Sequence, residues 1–264
     1  MIESKVLANL IEASFPWQFR LGGNAGIMAN VLATLGAKPI LNAPALGPRL
    51  AGMLHAEVGI PNSGILKEPL EAAGDPELDK EAMHFVFQFK KGDEVSIPAG
   101  KIIAARDNRF IATFDPVNTS LKTNPDFDAY CLANAGGVDG ALLSGFHLAR
   151  LDQYREIFPQ KIAEIESWKE LNPKIFIHAE MGSFQNPEIM QYLLPQLPVD
   201  SLGLNEDELA MAEGASPGRW QGRWQETVQA AQKLRERLGL FRVAVHTRDY
   251  ILSAMLAGQM TAEE

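Results

Sequence analysis

At 264 residues, with 46% hydrophobic and 22% charged content, the chain has the makeup of a globular protein, either one large α/β domain or two smaller ones. A net charge of −9 argues against a general nucleic-acid binder, although a local cationic pocket could still receive a small anion. The single cysteine, Cys131, excludes an internal disulfide and lacks neighbours at metal-ligand spacing, so an inert buried thiol is expected. No run approaches a membrane span and the polar opening Met1-Ile2-Glu3-Ser4-Lys5 is no signal peptide, so a cytoplasmic protein is expected.

Val6, Leu7, Leu10 and Ile11 follow helical spacing over residues 5–14. Gly22-Gly23 reads as a tight turn into a small-residue helix that Gly36 stops. Amides at such a helix start can meet the oxygens of a polar ligand; close helix–sheet packing is the alternative reading. The spacing fits neither the dinucleotide fingerprint nor a P-loop. A short buried strand is expected over 38–42, a loop and short helix over 44–54, and a loop-rich stretch over 61–82. Alternation over 84–93, with further signals at 95–97 and 108–114, predicts strands without helices between them. Such a cluster is expected to form a lid, placed approximately at 79–114.

Beyond Asp126 the pattern is α/β. Residues 141–145 read as a buried strand, and 151–171 as an amphipathic helix kinked at Pro159, with Tyr154, Ile157, Ile162, Ile165 and Trp168 inward. Two apolar runs, 174–180 and 201–208, each end in carboxylates and flank a helix at 187–194. A helix between strands predicts a parallel pair, and ligands of open parallel sheets sit at the strands' carboxyl ends. His178 and Glu180 fall on one face by the period of two. Glu180 and Glu208 converging there would suit a hard divalent cation such as magnesium. Asn205-x-x-Glu208 is equally a capping box. A helix over 220–238 is expected with Trp224, Val228, Ala231 and Leu238 inward and Gly239 at its stop, followed by a strand at 241–245 that delivers His246-Thr247-Arg248-Asp249. The tryptophans read as core.

His147, His178 and His246 are expected at strand ends on one sheet edge, without zinc spacing. Gly214-Ala215-Ser216-Pro217-Gly218 matches Gly-x-Ser-x-Gly, but a helical stretch precedes it and Pro217 removes an amide an oxyanion would need. It reads as a turn between helices.

Six separated motifs then fall in order: Leu-Gly-Gly-Asn-Ala-Gly-Ile-Met-Ala-Asn (21–30), His-Phe-Val-Phe-Gln-Phe-Lys-Lys-Gly (84–92), Arg-Asp-Asn-Arg-Phe-Ile (106–111), His-Ala-Glu (178–180), Gly-Leu-Asn-Glu-Asp-Glu-Leu (203–209) and His-Thr-Arg-Asp-Tyr (246–250). Through nearly its whole length the chain thus resembles the ADP-dependent sugar kinases, the glucokinase and phosphofructokinase group. The resemblance implies an α/β, ribokinase-like sheet flanked by helices, with a small β-rich lid. It implies transfer of the β-phosphoryl group of ADP to glucose or fructose 6-phosphate, release of AMP, and a place in glycolysis. By position, Gly23, Asn24 and His84 would meet the sugar, and Arg106 and Arg109 a sugar phosphate. Glu180 and Glu208 would organise magnesium, and Asn205, His246 and Thr247 would line the ADP site. Partners would be a sugar or sugar phosphate and ADP, with no nucleic acid or membrane.

The family's early sugar-binding aspartate and its Gly-x-Gly-Asp loop, which carries the general base, have no match in these residues. Residues 1–264 are therefore expected to form the central part of an incomplete kinase domain, inactive alone, that self-associates or pairs with a complementing chain. Two other readings stand beside this one. One is a non-catalytic sugar- or nucleotide-binding or interaction module; the other is a magnesium-dependent hydrolase using the same two glutamates.

Overall fold

The structure, a computed structural model, describes residues 2–73, 82–115, 117, 121 and 123–258. The chain divides into two compact units. One comprises residues 1–39, 43–59 and 67–118; the other comprises 40–42, 60–66 and 119–264.

Helix α1 (Lys5–Ser14) starts at Ser4, whose hydroxyl accepts from the Leu7 amide. The expected apolar stripe is only partly used. Ala8 is buried, whereas Val6 and Leu10 face outward. Helix α2 (Asn24–Thr34) follows the Gly22-Gly23 turn. Gly23 has φ +79°, a conformation L-residues rarely adopt, so the turn requires glycine there. Asn30 ties α2 to the following segment, donating to the Met53 carbonyl and accepting from the His55 amide.

The strand expected over 38–42 does not form; only Ile40 makes a bridge. Pro39 has no N–H to donate to a ladder, and its carbonyl instead takes the Gly59 amide. Next come α3 (Pro48–Ala51), the short strands β1 (Ile60–Asn62) and β2 (Ile65–Lys67), and α4 (Pro69–Ala72). Part of the loop-rich stretch, 74–81, lies outside the described residues.

Strand β3 (Met83–Phe89) begins one residue earlier than read from the sequence. It pairs antiparallel with β6 (Asn108–Phe114). Between them, β4 (Glu94–Ile97) and β5 (Gly100–Ile103) form a separate hairpin. The β3–β6 ladder buries Phe85 and Phe114 with Ile2 and Ala8, and Trp17 and Phe87 pack against them. That is the small core of the first unit.

The second unit is a five-stranded sheet in the order β11-β10-β9-β8-β7. Helix α5 (Pro125–Asn134) leads to β7 (Gly140–Leu143). Helix α6 (Tyr154–Leu171) runs continuously through Pro159 to β8 (Phe176–Glu180). Helix α7 (Pro187–Leu193) precedes β9 (Ser201–Asn205), and α8 (Glu206–Ala212) follows it at once. Helix α9 (Trp224–Leu238), closed by Gly239 at φ +66°, leads to β10 (Arg242–His246) and the antiparallel edge strand β11 (Ile251–Met255). Strands β7 to β10 are parallel neighbours, and β8 with β9 is the pair expected from the strand-helix-strand reading.

Alternation explains what this sheet presents. Ile177, Ala179, Leu202, Leu204, Val243 and Val245 are at most 1% exposed and face the main core. The intervening residues point the other way. Asp200 aligns the strands at their amino ends. Its carboxylate accepts from the Ile177 amide (2.8 Å) and from Lys169 (2.7 Å), and its carbonyl accepts the Phe241 and Arg242 amides.

Phe158, fully buried, anchors α6, although the periodicity favoured Ile157. Trp224 is 58% exposed and does not face inward, because α9 turns Thr227, Ala230, Ala231 and Leu234 to the core. Among the tryptophans, Trp168 and Trp220 pack on the main core.

Candidate functional site

The register of β8, β9 and β10 arranges the polar face of the sheet in cross-strand rows. His178, Ser201 and Arg242 form the first row, Glu180, Gly203 and Ala244 the second, and Asn205 and His246 the third. Within the first row, Arg242 Nε donates to Ser201 Oγ at 2.9 Å, and Ser201 Oγ lies 2.8 Å from His178 Nδ1. The other ring nitrogen, His178 Nε2, is 3.3 Å from Glu180 Oε2. Glu180 Oε1 is in turn 3.5 Å from His246 Nδ1. The Glu180 carboxylate is therefore held over Gly203. A Cβ there would collide with Glu180 Oε2, and would lie 2.8 Å from its Cδ and 3.0 Å from His178 Nε2. This glycine sits in a strand interior because a carboxylate occupies the space above it.

Glu208 stands on the first turn of α8. The capping box is fully formed: the Asn205 side chain accepts from the Glu208 amide (2.9 Å), and Glu208 Oε2 accepts from the Asn205 amide (2.9 Å). Asn205 Nδ2 also donates to Glu208 Oε1 (2.8 Å). The capping reading and the site reading thus describe the same residues, since the cap fixes the acid beside the strand end. Glu208 is 5% exposed. Burial raises its pKa above the ordinary carboxylate value; the Asn205 amide and His246 pull it down, while Glu180 and Asp207 push it further up. Two neighbouring acids repel one another when both are ionised, and a cation between them would relieve that repulsion.

His246 ends β10, as expected. Thr247 is committed to the turn that follows. Its hydroxyl donates to the Tyr250 carbonyl and accepts from the Asp249 and Tyr250 amides. Tyr250, which the sequence reading did not single out, reaches Glu206 and Thr227 through its hydroxyl, both at 3.3 Å. His178 lies within β8, not after it. His147 follows β7 in a short 3-10 turn and packs on Phe184 and on Gly182, where a Cβ would fall on the imidazole. Its Nδ1 is buried with no hydrogen bond among the described residues, and burial lowers its pKa from 6.5.

The remaining candidates belong to the first unit. Gly23 and Asn24 form the start of α2. His84 and Arg109 share one face of the β3–β6 ladder, the face opposite Phe85 and Phe87, through the pairs His84–Thr113 and Gln88–Arg109. Both are exposed, and Arg106 lies exposed in the turn before β6. Ser216 is in the turn between α8 and α9, flanked by Gly214 (φ +67°) and Gly218 (φ +75°), as a structural turn requires. Cys131, on α5, is partly buried; burial and Asp128 raise its pKa to about 11, which keeps it an unreactive thiol. Among the described residues no group of three or more His, Cys, Asp or Glu is placed to hold a metal directly, and no helix is long and apolar enough to cross a membrane.

The family model described as the ADP-specific phosphofructokinase/glucokinase conserved region matches residues 1–264. The chain is 29% identical to an ADP-specific phosphofructokinase of Methanosarcina acetivorans, across 90% of this chain and 53% of that enzyme. It is 31% identical to an ADP-dependent glucose/glucosamine kinase of Pyrococcus furiosus, across 73% of this chain and 42% of that protein. Among solved structures, an ADP-dependent kinase complex with fructose-6-phosphate and ADPβS superposes with a TM-score of 0.77 at 26% identity, covering 96% of this chain and 59% of that one. A hypothetical ADP-dependent phosphofructokinase from Pyrococcus horikoshii gives 0.76, also at 26% identity, over 98% and 61%. The chain spans roughly half the length of the curated relatives it matches.

Proposed function

Because this chain belongs to the ADP-specific phosphofructokinase/glucokinase family, we propose that its protein phosphorylates a hexose or hexose phosphate, glucose or fructose 6-phosphate, using ADP and releasing AMP. A cytoplasmic, glycolytic role goes with that reading. The observation that carries it is the pair of glutamates at the carboxyl ends of β8 and β9, the edge where open parallel sheets take their ligands.

Magnesium fits this pair through water. Each of the four glutamate oxygens has one protein partner among the described contacts, which leaves lone pairs for metal-bound water. The cation would neutralise charge on the phosphates during transfer. Glu180 and Glu208 would hold it, and the chain's own restraints keep both carboxylates in place: His178 and His246 for Glu180, Asn205 for Glu208. Asn205, His246 and Thr247 would border the nucleotide, Thr247 by shaping the turn. Gly23, Asn24 and His84 would receive the sugar, and Arg106 and Arg109 its phosphate, to which a guanidinium fork is matched.

No Gly-x-Gly-Asp occurs within these residues, so binding is the informative readout for this chain by itself. Calorimetric titration of ADP with magnesium into the purified chain is expected to show saturable binding, weakened about ten-fold or more in Glu180→Gln. A folded chain that takes up no ADP would overturn the proposal and favour a non-catalytic module.

A further inference from the structure

The row His178–Ser201–Arg242 crosses three strands, and its hydrogen bonds have a direction. Arg242 Nε can only donate, so Ser201 Oγ accepts from it at 2.9 Å. The serine's own hydrogen is then free to point at His178 Nδ1, 2.8 Å away. A ring nitrogen that accepts carries no proton, which leaves the proton on Nε2, the atom 3.3 Å from Glu180 Oε2. Ser201 is wholly buried, so no water competes for its hydroxyl.

We propose that Ser201 and Arg242 are positioning residues: they fix His178 as the Nε2–H tautomer, which donates to Glu180 and aims its carboxylate across Gly203. The inference rests on the proposed magnesium role of Glu180 for its functional meaning, but not for its geometry. The chain of donors runs Arg242 to Ser201 to His178 to Glu180, so Ser201 and Arg242 act on the carboxylate through the imidazole. Residues of this type orient a group that meets the metal shell, and their loss typically weakens metal binding without removing a ligand. Steric constraint completes the device. Gly203 leaves room for the carboxylate in the one orientation the imidazole selects.

The test is long-range proton–nitrogen NMR on the whole chain labelled at histidine nitrogens, at a single pH, with His178→Gln used to assign the His178 signals. Wild type is expected to show a bare Nδ1 and a protonated Nε2. Ser201→Ala is expected to lose that bias and give mixed tautomers, while the His147 signals stay in place and confirm folding. Arg242→Gln, at a partly exposed position, gives a second and milder break in the same row. A wild-type His178 protonated at Nδ1 would overturn the proposal without recourse to any variant. So would a folded Ser201→Ala with an unchanged tautomer. Magnesium titration in the presence of ADP then separates the two readings. A loss of about ten-fold or more in Ser201→Ala supports the positioning role. Unchanged affinity refutes it, and no binding even in wild type refutes the kinase reading while leaving the tautomer result to decide the geometry.

Discussion

Gly203→Ala is the sharpest perturbation available. The backbone at Gly203 does not have positive φ, so alanine should be tolerated by the strand itself, with a gain of about 0.5–1 kcal/mol from reduced unfolded-state freedom. Against that gain stands the collision with Glu180 Oε2 and Cδ and with His178 Nε2. Leu202 and Leu204, on either side, are at most 1% exposed, so β9 cannot move away. The Glu180 side chain must move instead. It would lose the His178 hydrogen bond, worth about 1 kcal/mol, and the overpacking itself costs about 1–3 kcal/mol. A net destabilisation of about 1–3 kcal/mol follows. Urea unfolding followed by tryptophan emission is a suitable assay, because Trp168, Trp220 and Trp224 all report on the second unit. Glu180→Ala should empty the space, so Gly203→Ala placed on that background should be close to neutral, giving a coupling of at least about 1 kcal/mol. Strict additivity of the two changes would refute the claim that the carboxylate occupies the glycine's side of the strand.

Asn205→Ala removes the side-chain acceptor for the Glu208 amide and the Nδ2 donor to Glu208 Oε1, leaving the backbone half of the cap. It should cost about 0.5–2 kcal/mol by denaturant unfolding, with ADP affinity falling as Glu208 loses one of its two restraints. His147 supplies a pH test. Its folded-state pKa is lowered by burial, so below the ordinary value of 6.5 the unfolded chain binds the proton more readily than the folded one. Stability should therefore fall as pH drops below about 6.5, and His147→Phe should flatten that part of the profile in parallel melts at pH 7.5 and pH 5.5.

The most legible parts were those in which burial and periodicity agree. Ile177, Ala179, Leu202 and Leu204 make β8 and β9 readable as core strands, and Asn205-x-x-Glu208 announces the start of α8. Strand β5 escaped because all four of its residues are exposed, so its pairing with β4 leaves no apolar alternation. Strand β11 escaped for a related reason: an edge strand with Ile251 outward and only Ala254 buried resembles a loop. Trp224 shows the opposite error, in which residue type outweighs helical phase. Within the site, Glu180, Asn205, Glu208 and His246 were visible as polar residues closing apolar runs. Ser201 and Arg242 were not, because their role depends on which residues the parallel register sets side by side. Gly203 did leave a trace. A glycine between two leucines in a buried strand signals that another group approaches its backbone.

Asp200 gives the sheet a division of labour. By gripping the opening amides of β8 and β10 from the start of β9, it sets strand alignment at the edge remote from Glu180 and Glu208. Loops at the carboxyl edge can then change length and chemistry without sliding one strand past another. A sheet anchored in this way can vary the residues at its carboxyl edge while its cross-strand rows stay in register.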